Sequence, residues 1–216
     1  MIHREIRTLR LQGASLFSSL SFFVLALFCL SLALGPQDKI LSSSAPALVW
    51  ILAILTTLFS TPHLLKNEAK AGLLDEVLLQ PSPPSLYLLS KMGAEILFIG
   101  LPLIFLGALL SPFFALSRED VITLSASLLI GFPALSALGI LGGLLTLNAR
   151  GGSLLIPLLI LPLTLPLLLF ALSIMELTRL GLDSSASFCL LTSVSLLLVI
   201  LSIGAGSWAL RFAVEG

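Results

Sequence analysis

Six long apolar runs constrain this chain more than any other feature. They cover roughly residues 16–34, 45–61, 88–114, 121–147, 153–175 and 186–209. A helix needs about 20 apolar residues to cross a bilayer. Lipid offers no partners to backbone N–H and C=O groups, so only helices and closed barrels can cross it. The runs are continuous rather than alternating, which selects helices. Only 10% of the residues are charged, against about 25% in a soluble domain. The expected fold is an all-α integral membrane protein with six transmembrane helices, forming a single transmembrane domain over residues 1–216. Its solvent is the lipid bilayer. The first run could be a signal peptide, with basic residues before it and Gly35-Pro36 after it. Its length and the five runs that follow favour an uncleaved first anchor.

Lys and Arg in the short connections set the orientation. With the N-terminus inside, the cytoplasmic side holds Arg4, Arg7, Arg10, Lys66, Lys70, Lys91, Arg150 and Arg211, and the outer side holds Lys39, Arg118 and Arg179. Both termini are therefore expected in the cytoplasm. In residues 1–13, Ile2, Ile6, Leu9 and Gly13 form one helical stripe, with the three arginines opposite. This is the pattern of an interfacial amphipathic helix. A basic tail that only sets topology is the plainer alternative.

The longest polar stretch lies between the second and third runs. Segment 63–81 reads as a cytoplasmic helical lever, with Leu74, Val77 and Leu78 at i, i+3, i+4 spacing. Pro81-Ser82-Pro83-Pro84 should stop it, and Ser85 should cap the next helix. The segment is either a docking surface for a soluble partner or an ordinary positively charged loop.

Small residues let helices approach closely in lipid. Gly93, Gly100 and Gly107 are expected on one face of the third span. Gly139 and Gly143 have G-x-x-x-G spacing in the fourth. They read as internal packing, or else as a homodimer seam. Pro157, Pro162 and Pro166 suggest a kinked or broken fifth span, which is either a hinge or a static bend. Glu95 is expected to snorkel toward the interface with Lys91 as partner. Glu176 and Arg179 are expected to form an exposed pair. Cys29 and Cys189 read as buried small hydrophobes.

The sequence holds no G-x-x-x-x-G-K-[ST] phosphate loop, no H-E-x-x-H and no G-x-S-x-G. Both histidines, His3 and His63, fall in cytoplasmic segments, so no intramembrane haem-ligand pair is expected. The expectation is a non-catalytic membrane subunit with no directly bound cofactor or metal and no nucleic-acid partner.

A resemblance then becomes visible across roughly residues 35–175. It is carried by Gly35-Pro36, the apolar run ending in Trp50, Glu68, Gly72 and Leu73 in AKAGLLDEVLLQPSPPSLYLLSK, and Leu78, Leu79, Pro81 and Lys91. Leu101-Pro102, Arg150-Gly151-Gly152 and LPLTLPLLLFA from Leu161 complete it. In order and spacing these resemble the B subunit of the cytochrome c maturation haem exporter (CcmB), an ABC-2-like permease family. The chain departs from the family pattern at Pro62-His63, where other members carry an acidic-basic pair.

The resemblance implies a permease of the bacterial inner membrane that works with a separate ATPase. Segment 63–81 would be the coupling helix, with Glu68, Gly72, Leu73, Asp75, Glu76, Leu78, Leu79 and Pro81 docking on that ATPase. ATP would be bound by this CcmA-like partner, and haem would be cargo of the complex. The other implied partners are CcmC-like and CcmD-like membrane subunits and a CcmE-like haem chaperone, with two copies of this chain per complex. Two rivals share the sequence features: a generic ABC-2 exporter permease for lipid, polysaccharide or drug, and a membrane scaffold without transport.

Overall fold

A computed structural model describes residues 13–35, 38–70, 83–147 and 155–215. The described residues form α1 (Gly13–Leu34), α2 (Asp38–Lys70), α3 (Pro84–Glu95), a π turn (Ile96–Gly100), α4 (Leu101–Leu109), a 3-10 turn (Ser111–Phe114), α5 (Arg118–Leu147), α6 (Leu155–Arg179) and α7 (Ser185–Glu215). Six of these units are long and apolar enough to cross a membrane, α3 through α4 counting as one.

Helix α5 is the centre of the bundle. Burial covers 72% of its most apolar stretch, against 17% for α1. It packs on α2, α6, α7 and α3, whereas α1 leans chiefly on α2. Glycines make the α2–α5 contact possible. A Cβ on Gly131 would lie 2.4 Å from the Trp50 ring, and one on Gly143 would lie 3.2 Å from Pro62 Cα. The edge of the Trp50 ring thereby sits against Gly131, and its indole N–H donates to Ser127 at 3.2 Å. Gly139 meets Thr61. The G-x-x-x-G spacing thus serves packing inside the bundle.

Several expectations are corrected. Helix α2 continues without a break through Pro62 to Lys70, so residues 63–70 extend the second span and are not part of a separate lever. Pro84, not Ser85, sets the start of α3: it occupies the first helical turn, and no side chain caps the helix. A fixed φ near −65° suits that position.

Gly93 stands apart from Gly100 and Gly107. A Cβ there would touch nothing, whereas Gly100 faces Phe132. The π turn between them inserts an extra residue, which rotates the following face by about 100°. Pro102 explains the turn, because it has no N–H to offer the Phe98 carbonyl.

Helix α6 runs unbroken past Pro162 and Pro166, so the fifth span is not interrupted there. Cys29 and Cys189 are free thiols on the outside of the bundle, because the lipid-facing surface is as apolar as the core.

The turn from α6 to α7 has a glycine for a defined reason. Gly181 has φ +67°, and the Leu182 N–H returns to the Leu177 carbonyl at 2.9 Å. This is a Schellman closure.

Candidate functional site

Two ends of the bundle hold the charged chemistry. At the first, α2 finishes and α3 begins, with segment 71–82 between them. The Glu68 carboxylate lies in the last turn of α2, is 2% exposed and turns inward. Lys91 of α3 donates to Glu68 Oε1. Tyr87, one turn earlier on α3, donates to Oε2 at 3.0 Å. Tyr87 and Lys91 reach the same carboxylate because residues four apart share a helix face. The outcome is a buried pin between the two helices that carry segment 71–82.

This arrangement corrects two expectations. Glu68 is not presented to a partner. Glu95 does not snorkel either: it and Lys91 are both fully buried, and Ser136 of α5 donates to Glu95 Oε2 at 2.6 Å. The spacing of Lys91 and Glu95 is visible in sequence, but the third member, Glu68, is 23 positions away from Lys91. Only the packing of both α2 and α3 against α5 brings them together.

The other expected docking residues, Gly72, Leu73, Asp75, Glu76, Leu78, Leu79 and Pro81, lie outside the described residues, as do residues 1–12. Of the hinge candidates, Pro162 and Pro166 sit inside α6, and Pro157 falls in its first turn.

At the opposite end, Arg179 at the close of α6 donates through Nε to Asp120 Oδ1 and through an Nη to the Ser42 carbonyl, each at 2.8 Å. Its expected partner was Glu176. The clamp joins α2, α5 and α6. Asp120 is also half of a capping box: its N–H donates to Ser117 Oγ at 3.1 Å, and the Ser117 N–H donates back to Asp120 Oδ2 at 3.2 Å. The S-x-x-D spacing of residues 117–120 was the signal that could have revealed it.

A groove of about 360 Å³ opens between α1 and α2, lined by Ser18, Ser19, Thr56, Ser60 and His63 with two phenylalanines. Among the described residues, no three His, Cys, Asp or Glu side chains converge as a metal-ligand set.

The class these features define is a multi-pass helical membrane protein whose charged groups tie helices to one another at the two ends of the bundle. The comparison with known families is more specific. The CcmB protein family matches residues 1–213, and the chain belongs to that family. A curated relative from Pseudomonas aeruginosa, Heme exporter protein B, is 34% identical over 99% of this chain and 96% of its own length. Proteins of the same name from Haemophilus influenzae and Escherichia coli K12 are 33% and 29% identical, over 100% and 98% of this chain and 97% and 96% of theirs.

Proposed function

We propose that this chain is the membrane permease subunit of an ABC-type complex for cytochrome c maturation. It couples a partner ATPase to the export or transfer of haem, or to release of the haem-loaded chaperone. Family membership over nearly the whole chain supports the haem-export class. The observation that carries the coupling reading is the buried pin. Segment 71–82 is rooted in two spanning helices, and Glu68, Tyr87 and Lys91 fasten those helices together at its base. A push on the segment is then delivered to α2 and α3 as a pair.

In this reading the whole chain is one permease domain in the bacterial inner membrane. Both termini and segment 71–82 face the cytoplasm. Gly72, Leu73, Asp75, Glu76, Leu78, Leu79 and Pro81 meet the CcmA-like ATPase, which binds ATP. Glu68 leaves the docking set and becomes the root of the lever. CcmC-like, CcmD-like and CcmE-like proteins and a second copy of this chain complete the assembly. Pro157, Pro162 and Pro166 are the positions at which α6 would bend during the cycle.

The test reverses the charges on the lever. Asp75→Lys with Glu76→Lys should leave insertion and protein level unchanged while uncoupling the partner ATPase and stopping cytochrome c maturation. Removing one side of a desolvated charge contact costs about 2–5 kcal/mol, so the loss should be large. Full maturation and retained ATPase binding in the reversed variant would leave segment 71–82 as a topogenic loop, and would favour the scaffold reading.

A further inference from the structure

The groove between α1 and α2 is too polar for a surface that meets only acyl chains. Ser18 and Ser19 line it from α1, and Thr56, Ser60 and His63 line it from α2, with Phe22 and Phe59 as its apolar part. Ser19 and Ser60 share a hydrogen bond of 2.8 Å. Thr56 is 2% exposed, and its hydroxyl has no hydrogen-bond partner among the described residues. Its neighbour Thr57 donates to the Ala53 carbonyl at 2.8 Å. Hydroxyls in membrane helices ordinarily bond to a neighbouring helix or back to their own backbone. A plain hydrocarbon chain lying in this groove would leave its polar groups unmet. The fitting occupant carries polar atoms of its own.

The polar groups stand at separate depths. The apolar run of the second span ends near residue 61, and His63 lies just beyond it. Lys66 follows on the same helix face at i, i+3, and both side chains are exposed. They stand at headgroup depth on the side of segment 71–82. Ser60, bonded to Ser19, is three residues deeper, about 4.5 Å along the helix axis. Phe22 lies about one turn deeper than Ser18 on α1. A glycerophospholipid has the same order. Its phosphate stands one glycerol unit above two ester carbonyls, which accept hydrogen bonds and cannot donate them, and the acyl chains follow.

We propose that the groove binds one anionic glycerophospholipid from the leaflet on the side of segment 71–82. Lys66 and the His63 imidazole meet the phosphate, the hydroxyls at the Ser19–Ser60 level meet the ester carbonyls, and an acyl chain lies against Phe22 and Phe59. The bound lipid also has a structural consequence. Helix α1 is the least buried of the six spans, at 17%, and leans chiefly on α2. A lipid seated between the two helices fastens α1 to the bundle. This goes beyond the permease reading and does not depend on it.

The experiment is native mass spectrometry of the full chain in detergent, titrated with phosphatidylglycerol and with phosphatidylethanolamine. The expected result is one phosphatidylglycerol retained per chain in preference to phosphatidylethanolamine. Ser18→Trp, which fills the groove from an exposed position, should abolish that retention, and Leu196→Trp on the outside of α7 should leave it intact. His63→Leu with Lys66→Gln should weaken phosphatidylglycerol binding about fivefold or more, as for loss of one surface cation. All these positions are exposed, so the variants do not disturb the core. Equal retention of the two lipids, or retention unchanged in Ser18→Trp, would overturn the proposal. Displacement of the lipid by inorganic phosphate would make the groove a site for the free anion. Displacement by one haem per chain that requires His63 would make it a cargo site, and a dimer that Ser18→Trp splits with lipid retention unchanged would make it a subunit seam. Each of these outcomes would also overturn the lipid assignment.

Discussion

The two ends of the bundle each carry an ion pair between helices, and the pairs differ in kind. Glu68 and Lys91 are 2% and 0% exposed, with Tyr87 on the second carboxylate oxygen. Asp120 and Arg179 are 11% and 31% exposed, and the guanidinium spends its second contact on a backbone carbonyl. The first pair has no water to fall back on, so each partner is required by the other. The second can exchange its partner for solvent. An end built the first way depends more on its ion pair than an end built the second way.

The largest effect should come from the buried pair. Lys91→Met leaves Glu68 charged and enclosed, and should lower stability in detergent unfolding by about 3–5 kcal/mol. Lys91→Met combined with Glu68→Gln should recover most of that loss, because the stranded charge is gone. If the double variant is no better than the single one, packing of the lysine stem outweighs the charge and the contrast between the two ends collapses.

A smaller effect is expected from Arg179→Gln. The half-exposed pair should be worth about 1 kcal/mol or less, and raising the salt should shrink the difference from wild type. A loss as large as that of Lys91→Met, unaffected by salt, would show that the two ends are built alike.

The smallest effect concerns Asp183, near Arg179 in the turn before α7. Its carboxylate accepts from the Ser185 N–H at 2.9 Å and from the Ser185 hydroxyl at 2.8 Å. The backbone hydrogen bond, and after it the hydroxyl, holds its pKa below the ordinary carboxylate value. Because the folded pKa is depressed, the cap's stabilisation is present above the ordinary carboxylate range. It is lost as pH falls through the depressed value. Protection of the amides at the start of α7, taken relative to their intrinsic exchange rate at each pH, should therefore fall in acid for the wild type and stay level for Asp183→Asn.

The spans were legible because each is an unbroken apolar run, and bilayer thickness fixes how long such a run must be. The helix ends were less legible. Helix α2 extends a turn and more past the last apolar residue expected of the span, because Leu64 and Leu65 continue the buried stripe while Lys66 and Asn67 face outward. The glycine line on the third span failed for a local reason: periodicity assumes uniform turns, and Pro102 forced one turn to be wider.

The charged site was the least legible part. The sequence by itself determined, through its few charges and its long unbroken apolar runs, that this chain lives in lipid, that it crosses as helices and that its charges must be tied down. Which charges are tied to which was decided only by the tertiary structure. Glu68, Lys91 and Glu95 become neighbours because α2 and α3 both pack on α5, and because Gly139 and Gly143 let α5 close against α2. A carboxylate has the same chemistry at any point in a sequence. Whether it is a docking contact or a structural pin depends on the water it has lost and the donors that replace it.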